Sequence, residues 1–373
     1  MEMFTSKFFP RLEVDCDETQ MVHSESDSKG QISYLIGSSN YEAVSDDACK
    51  DEDNAGWILE LEPDVRDEWI ERISWIRLVD RLAEHELLCT GETAFQDFLE
   101  GWEYLLRTNQ VKLDCAYQSI LAKIKSCWFG ETDQLVDVLS IQSWDRYVKA
   151  IARYHADNLT IHTFEQYEEM LFSLGGSFFQ ILPFLTDKHR QVASYFGILD
   201  QFYNHLRDLR EDAAQGICYL PTELLNWFDV SRHEILQQSA CQNPNYVKMM
   251  QFWLDEYLPR LRRKARQLVT ADDLHPSWEI LRDWSVYRYR RIDMTFRECG
   301  FDYLEFSEVY WQGVKSDLPM LLTQIRQERC LPQVSQTLTY GGYAHLRGWR
   351  RLAVLPSFAF TTSYPSIVAA SAG

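Results

Sequence analysis

The sequence lacks the signatures of most binding and catalytic classes. It has no uninterrupted apolar run of the ~18 residues that a membrane span requires, and Met1 to Pro10 carries neither the basic nor the apolar region of a signal peptide. Its nine cysteines fall without C-x-x-C pairing or regular spacing, so they read as reduced thiols of a cytoplasmic protein rather than as a disulfide framework. Positive charge is short: 37 Lys and Arg face 56 Asp and Glu, a formal net charge of −19, which argues against nucleic acid as a partner. Gly175-Gly176 is not a phosphate loop, having neither a lysine nor a flanking strand. The nine histidines form no metal-ligand spacing, and no G-x-S-x-G elbow occurs.

Apolar residues make up 46% of the chain, enough for a substantial core. Their spacing divides it into three. Residues 1–56 are acidic and rich in Ser, as in Asp15-Cys16-Asp17-Glu18 and Asp51-Glu52-Asp53, and are expected to form a flexible arm. Residues 57–328 repeat apolar positions at helical spacing, for example Trp69, Ile73, Ile76, then Phe95, Phe98, Trp102, then Trp253, Tyr257, Leu261. Pro63, Pro183, Pro221, Pro244, Pro259 and Pro276 punctuate that stretch at expected helix boundaries. The pattern predicts one all-α domain of roughly ten helices of ordinary length. Residues 329–373 lose the period and are expected to form an irregular tail around Gly341-Gly342 and Arg347-Gly348-Trp349-Arg350-Arg351.

Two of the predicted helices carry carboxylates on one face. In VRDEWIERISWIRLVDRLAEHE (65–86), Asp80 and Glu84 are four apart, Arg77 precedes Asp80 by three, and Arg66 lies eleven before Arg77, close to three whole turns. Alone, such a pair is more often a solvated helix face. The second stretch, DQFYNHLRDLREDAAQGICYLP (200–221), places Asn204, Asp208 and Asp212 at i, i+4 and i+8, a polar ridge beside the apolar Phe196, Ile198, Leu199 and Phe202. A buried ridge of carboxylates is costly unless cations compensate it. Oxygen ligands of this kind, completed by water, suit Mg²⁺. Gln201 extends the ridge and Arg207 flanks it, within reach of an anionic oxygen.

The stretch 201–221 resembles the second aspartate-rich signature of the squalene/phytoene synthase family, N-x-x-R-D-x-x-E-D-A-x-x-G-x-x-Y-L-P, here Asn204, Arg207-Asp208, Glu211-Asp212-Ala213, Gly216 and Tyr219-Leu220-Pro221. Arg66, Arg77, Asp80 and Glu84 hold positions of its first signature, and Gly175-Gly176-Ser177 is similar to its small-residue step. The resemblance implies the isoprenoid synthase helical bundle around a central apolar cavity, and Mg²⁺-assisted loss of diphosphate from a prenyl diphosphate. It implies Asp80, Glu84, Asp208 and Asp212 as catalytic metal ligands, joined by Asn204. Arg66, Arg77, Gln201, Arg207, Phe172 and Ser177 would bind the substrate.

The chain departs from that pattern in three places. Arg81 replaces the second aspartate of the first signature. The tyrosines of the segment before the small-residue step are absent, Met170 and Ser173 standing there. Asp53-Asn54-Ala55-Gly56-Trp57 occupies the place of an N-terminal serine pair. These changes touch the handling of a second diphosphate, and they point to a terpene cyclase that ionises one chain, farnesyl diphosphate being the expected substrate. Head-to-head coupling of two prenyl chains, prenylation of an aromatic acceptor, and a non-catalytic assembly factor remain as alternatives. The sequence is silent on oligomeric state.

Overall fold

The structure is a computed structural model that describes Ile32 and residues 47–88, 93–130, 136–154 and 159–330. Among these residues every regular element is helical. In order they are α1 (Asp47–Ala55), a 3₁₀ turn (Gly56–Glu60), α2 (Pro63–Leu88), α3 (Ala94–Thr108), α4 (Gln118–Trp128), α5 (Val138–Tyr154), α6 (Phe164–Leu171) and α7 (Ser177–Gln180). They continue with α8 (Asp187–Arg207), α9 (Leu209–Ala214), α10 (Thr222–Trp227), α11 (Arg232–Leu236), α12 (Tyr246–Phe252), α13 (Leu258–Val269), α14 (Pro276–Glu298) and α15 (Tyr303–Cys330).

Helical spacing of apolar residues accounts for most of this. In α3, Phe95, Phe98, Trp102 and Leu105 form one buried stripe, and the helix stops where Asn109 turns left-handed at φ 53°. Each large side chain buried this way contributes about 1.5–3 kcal/mol. Pro63 and Pro276 open α2 and α14, where a missing N–H costs nothing. Gly216, at φ 79°, follows the end of α9 as the residue that can take a left-handed conformation.

The α-helical segments are more numerous than the roughly ten expected because several are interrupted. Phe172–Gly176 and Trp253–Tyr257 are π-helical turns, between α6 and α7 and between α12 and α13. One inserted residue leaves the apolar period almost unchanged, so sequence patterning passes over it. The small-residue step has a packing role. A Cβ on Gly175 would lie 2.3 Å from the Gly197 carbonyl oxygen, and one on Gly197 would lie 2.1 Å from that of Gly175. Two helices therefore cross here with backbone against backbone. Helix α8 is central, with α6, the first π-turn, α7, α13 and α14 packed on it.

Most of the expected arm and tail lies outside the described residues, but the inner edge of the arm corrects the expectation. Residues 47–55 form helix α1, in which Asp51, Glu52, Asp53 and Ala55 are buried, and Gly56, Trp57 and Ile58 follow them into the core. Their acidity is explained by what they face, described next, and not by solvent.

Candidate functional site

The ridge on α8 and α9 survives a break in the helix. Asp208 sits between the two at φ −93°, ψ 5°, yet its N–H donates to the Asn204 carbonyl at 2.9 Å and its own carbonyl accepts from Asp212 N–H at 2.8 Å. The i, i+4 register thus carries through, and Asn204, Asp208 and Asp212 share one face.

Around this ridge lies a cluster of buried ions. Arg207, its side chain 1% exposed, grips Asp208 with both ends of its fork, Nε to Oδ1 at 2.7 Å and Nη2 to Oδ2 at 2.8 Å. From α1, Lys50 Nζ reaches Asp208 at 2.9 Å and Glu211 at 3.2 Å. Asp51 meets Arg77 of α2 at 3.1 Å. Asp53 receives Tyr310 Oη at 2.6 Å and pairs with Arg291, with Arg207 at 3.9 Å. The amide oxygen of Asn54 accepts from Arg207 at 2.8 Å and also from Arg288. Asp200 holds Arg288 and accepts from Tyr289 Oη at 2.6 Å.

These neighbours set the charge states. Burial works against the Asp208 carboxylate, but Arg207 and Lys50 outweigh it and hold its pKa well below the usual range. Burial likewise disfavours the Lys50 ammonium, and Asp208 reverses this and holds its pKa above the ordinary value. At Asp212 the same two cations are outweighed. Burial first, and then the charge of Asp208, push its pKa well up.

The two acidic helices converge on Tyr219. Its hydroxyl is pushed far above the ordinary tyrosine value by burial and then by the negative charges of Asp212, Asp80, Glu84 and Asp208. Tyr147 is raised by burial and then by Asp80, with Glu84 adding and Arg77 opposing. Asp80 is half-buried, Glu84 exposed, and Arg81 buried.

A divalent ion fits this donor set in two respects. The Asn204 amide nitrogen donates to Asp200 at 3.1 Å, which turns Oδ1 the other way. That oxygen is buried and has no hydrogen-bond partner among the described residues, an unsatisfied acceptor that a cation would satisfy. The carboxylate of Asp212 is the second: a cation beside it would offset both burial and repulsion. In the present arrangement no three His, Cys, Asp or Glu residues are gathered closely enough to hold a metal, among the described residues. The ammonium of Lys50 stands against Asp208 instead. An anion also has donors waiting, since Arg288 Nε and Arg291 Nε are buried without an acceptor among the described residues.

Beside the ridge, Tyr167, His205, Asp212, Tyr219 and Trp253 enclose a cavity of about 10 Å³, room for about one water. Aromatic rings line this space. Trp253 stacks on Tyr257 at 4.2 Å, with Phe202 and Tyr167 each 5.3 Å from Trp253. Gln201 does not face the ridge ions. Its amide contacts His205 Nε2 at 3.0 Å, and His205 Nδ1 contacts the Tyr167 hydroxyl at 3.2 Å. Burial lowers the His205 pKa to about 3, so the imidazole is neutral.

The chain matches the squalene/phytoene synthase family over residues 50–313. It belongs to that family. A 15-cis-phytoene synthase of Synechococcus elongatus is 33% identical over 115 residues, 30% of this chain and 35% of that protein, so the match spans about a third of that relative's length. The fold is similar to a ligand-bound dehydrosqualene synthase (TM-score 0.53, 16% identity, 78% of this chain and 96% of that chain). It is also similar to squalene synthase HpnC of Alicyclobacillus acidocaldarius (TM-score 0.50, 16% identity, 69% and 94%). At that identity the likeness establishes the helical isoprenoid synthase fold. Family membership favours head-to-head prenyl transfer over the single-chain cyclisation that the departures suggested.

The structure brings the ridge residues together and surrounds them with groups that sequence patterning does not reveal. Asn204, Arg207, Asp208 and Asp212 come together, and the charges of Asp80 and Glu84 act with theirs on Tyr219. Arg66 is half-buried three turns before Arg77 and is not part of the ion cluster among the described contacts. Phe172 and Ser177 attach to Arg146 instead: its guanidinium lies 4.7 Å from the Phe172 ring and donates to Ser177 Oγ at 3.3 Å. Lys50, Asp53, Arg288, Arg291 and Tyr310 were not anticipated. Arg288 and Arg291, three apart and so on one face of a helix with the apolar Trp284 and Ile292, were the available signal.

Proposed function

We propose that this chain transfers a prenyl group from an allylic prenyl diphosphate by head-to-head carbon–carbon coupling, as its family does. The observation that carries the reading is the ridge itself: a buried Asn204 oxygen without a partner and a buried, repelled Asp212 carboxylate, set beside arginines with spare donors. Asn204, Asp208 and Asp212 on one side and Asp80 and Glu84 on the other would hold Mg²⁺. Bound there, the metal supplies charge neutralisation for the departing diphosphate.

The chain's own groups do the rest. Arg77, Arg207, Arg288 and Arg291 bind the diphosphate and orient it, their preorganised charge favouring separation of the leaving group. The faces of Tyr167, Phe202, Trp253 and Tyr257 shield the allylic cation by cation–π attraction. Close packing of the same rings excludes water that would quench it. A second reading, cyclisation of a single chain such as farnesyl diphosphate, is favoured by Met170, which is fully buried where the family motif has a tyrosine.

Incubation of the purified protein with Mg²⁺ and geranyl, farnesyl or geranylgeranyl diphosphate tests both. The expected product is a coupled hydrocarbon or alcohol of twice the substrate's carbon number. A cyclic product of unchanged carbon number would replace coupling by the second reading. Absence of turnover with all three, from a protein that melts cooperatively, would remove both.

A further inference from the structure

Helix α1 treats the site as a ligand would. Lys50 puts a positive charge on Asp208 and Glu211, while Asp51 puts a negative charge on Arg77. Asp208 and Arg77 belong to the groups assigned above to metal and to diphosphate, so the segment presents both charges in the places of both ligands. We propose that Lys50 is a tethered stand-in for the divalent ion. The turn carrying Lys50 and Asp51 must release Asp208, Glu211 and Arg77 before metal and diphosphate can bind. The inference rests on the metal reading of the ridge.

The two ends of α1 are held very differently. Toward its C-terminus the Asp53 carbonyl accepts from Trp284 Nε1 at 2.7 Å, its carboxylate is locked by Tyr310 and Arg291, and Trp57 and Ile58 are buried. The Asp53 side chain is 1% exposed, against 27% for that of Lys50. Lys50 is therefore the side chain of this turn nearest to water, while Asp51, 5% exposed, must be drawn out with it and Asp53 and Asn54 stay as a pivot. Without a metal, the Lys50 ammonium offsets the repulsion among Asp208, Glu211 and Asp212; with one, it becomes a like charge that must move. Binding of the ion and docking of this turn are mutually exclusive, which makes α1 a latch on the site.

The test uses the full chain, Mn²⁺ alone as probe, and no substrate. Free Mn²⁺ followed by electron paramagnetic resonance gives the affinity of the wild type, Lys50→Met and Lys50→Arg. Lys50→Met is expected to bind Mn²⁺ about tenfold more tightly, within the roughly 5–150-fold usual for coupled sites, and Lys50→Arg to bind as the wild type does. Because coupling is reciprocal, saturating Mn²⁺ should raise amide hydrogen exchange at residues 49–52 of the wild type and leave 53–58 protected, a readout that does not depend on how the variant folds. Unchanged or weaker Mn²⁺ affinity in a folded Lys50→Met, or unchanged exchange in a wild type that binds Mn²⁺, would overturn the latch and leave the metal site standing. No Mn²⁺ binding by the cooperatively folded wild type or Lys50→Met would overturn the metal site and the latch with it.

Discussion

Replacing Asp212 with asparagine is expected to remove turnover while leaving the protein as stable as before or more so. Asp212 is the ridge carboxylate for which Lys50 and Arg207 do not outweigh the opposition: burial and the neighbouring Asp208 both resist its ionisation. Asparagine keeps the shape and removes the charge, so the folded state loses a repulsion and no ion pair. For catalysis the same change removes a ligand and part of the field that draws the diphosphate away, expected to lower kcat by about 10³-fold or more, roughly 4 kcal/mol of barrier. A residue whose removal costs activity and spares stability is one the fold holds for function. Asp208→Asn gives the contrast. It would leave Arg207, whose side chain is 1% exposed, without its bidentate partner, and breaking a buried pair of that kind costs about 3–5 kcal/mol. Melting curves and steady-state rates on both variants check the pair. A fall in melting temperature for Asp212→Asn as large as for Asp208→Asn would show that the carboxylate is structural.

Gly197→Ala is the second large effect, and it falls on stability. The added methyl would sit 2.1 Å from the Gly175 carbonyl oxygen and 2.9 Å from Phe179 Cδ2. Backbone cannot yield as a flexible side-chain tip can, so α8 must move off the first π-turn. Such overpacking costs about 3 kcal/mol or more, read as a fall of several degrees in melting temperature. Gly313→Ala is the control: it lies within α15, nothing is within 4 Å of the added carbon, and the change should stabilise by about 0.5–1 kcal/mol. Equal melting temperatures for the two variants would contradict the close crossing.

What the sequence made legible follows from the range of each interaction. Asn204, Asp208 and Asp212 could be read as one face because i, i+4 neighbours are fixed by helix geometry alone, and the register holds even through the break at Asp208. Arg77 could be placed beside Asp80 for the same reason. Lys50 and Asp53 could not, because their partners Asp208, Arg291 and Tyr310 lie more than 150 residues away, and no periodicity reports a contact of that span. Their run of acidic neighbours therefore read as a solvated arm, when it is the complement of buried arginines on α8 and α14. Gly175-Gly176 was recognisable as a small-residue step, but its purpose, backbone contact with Gly197, needed the second helix. Gln201 shares the helix of the ridge, and its amide meets His205, on the same helix one turn on, a pairing that the spacing alone did not single out.

The ion cluster on α1 also dictates an order of assembly. Asn54 meets Arg207 across 153 residues, and Asp53 meets Tyr310 across 257. Contacts of that sequence separation carry the largest loop-closure entropy and form only after the intervening helices have collapsed. Until α1 docks, Arg207, Arg288 and Arg291 converge on one another with only part of their counter-charge. Completion of the fold and neutralisation of the ion cluster thus coincide, because the contacts that close these long loops are the ones that bring the counter-charge.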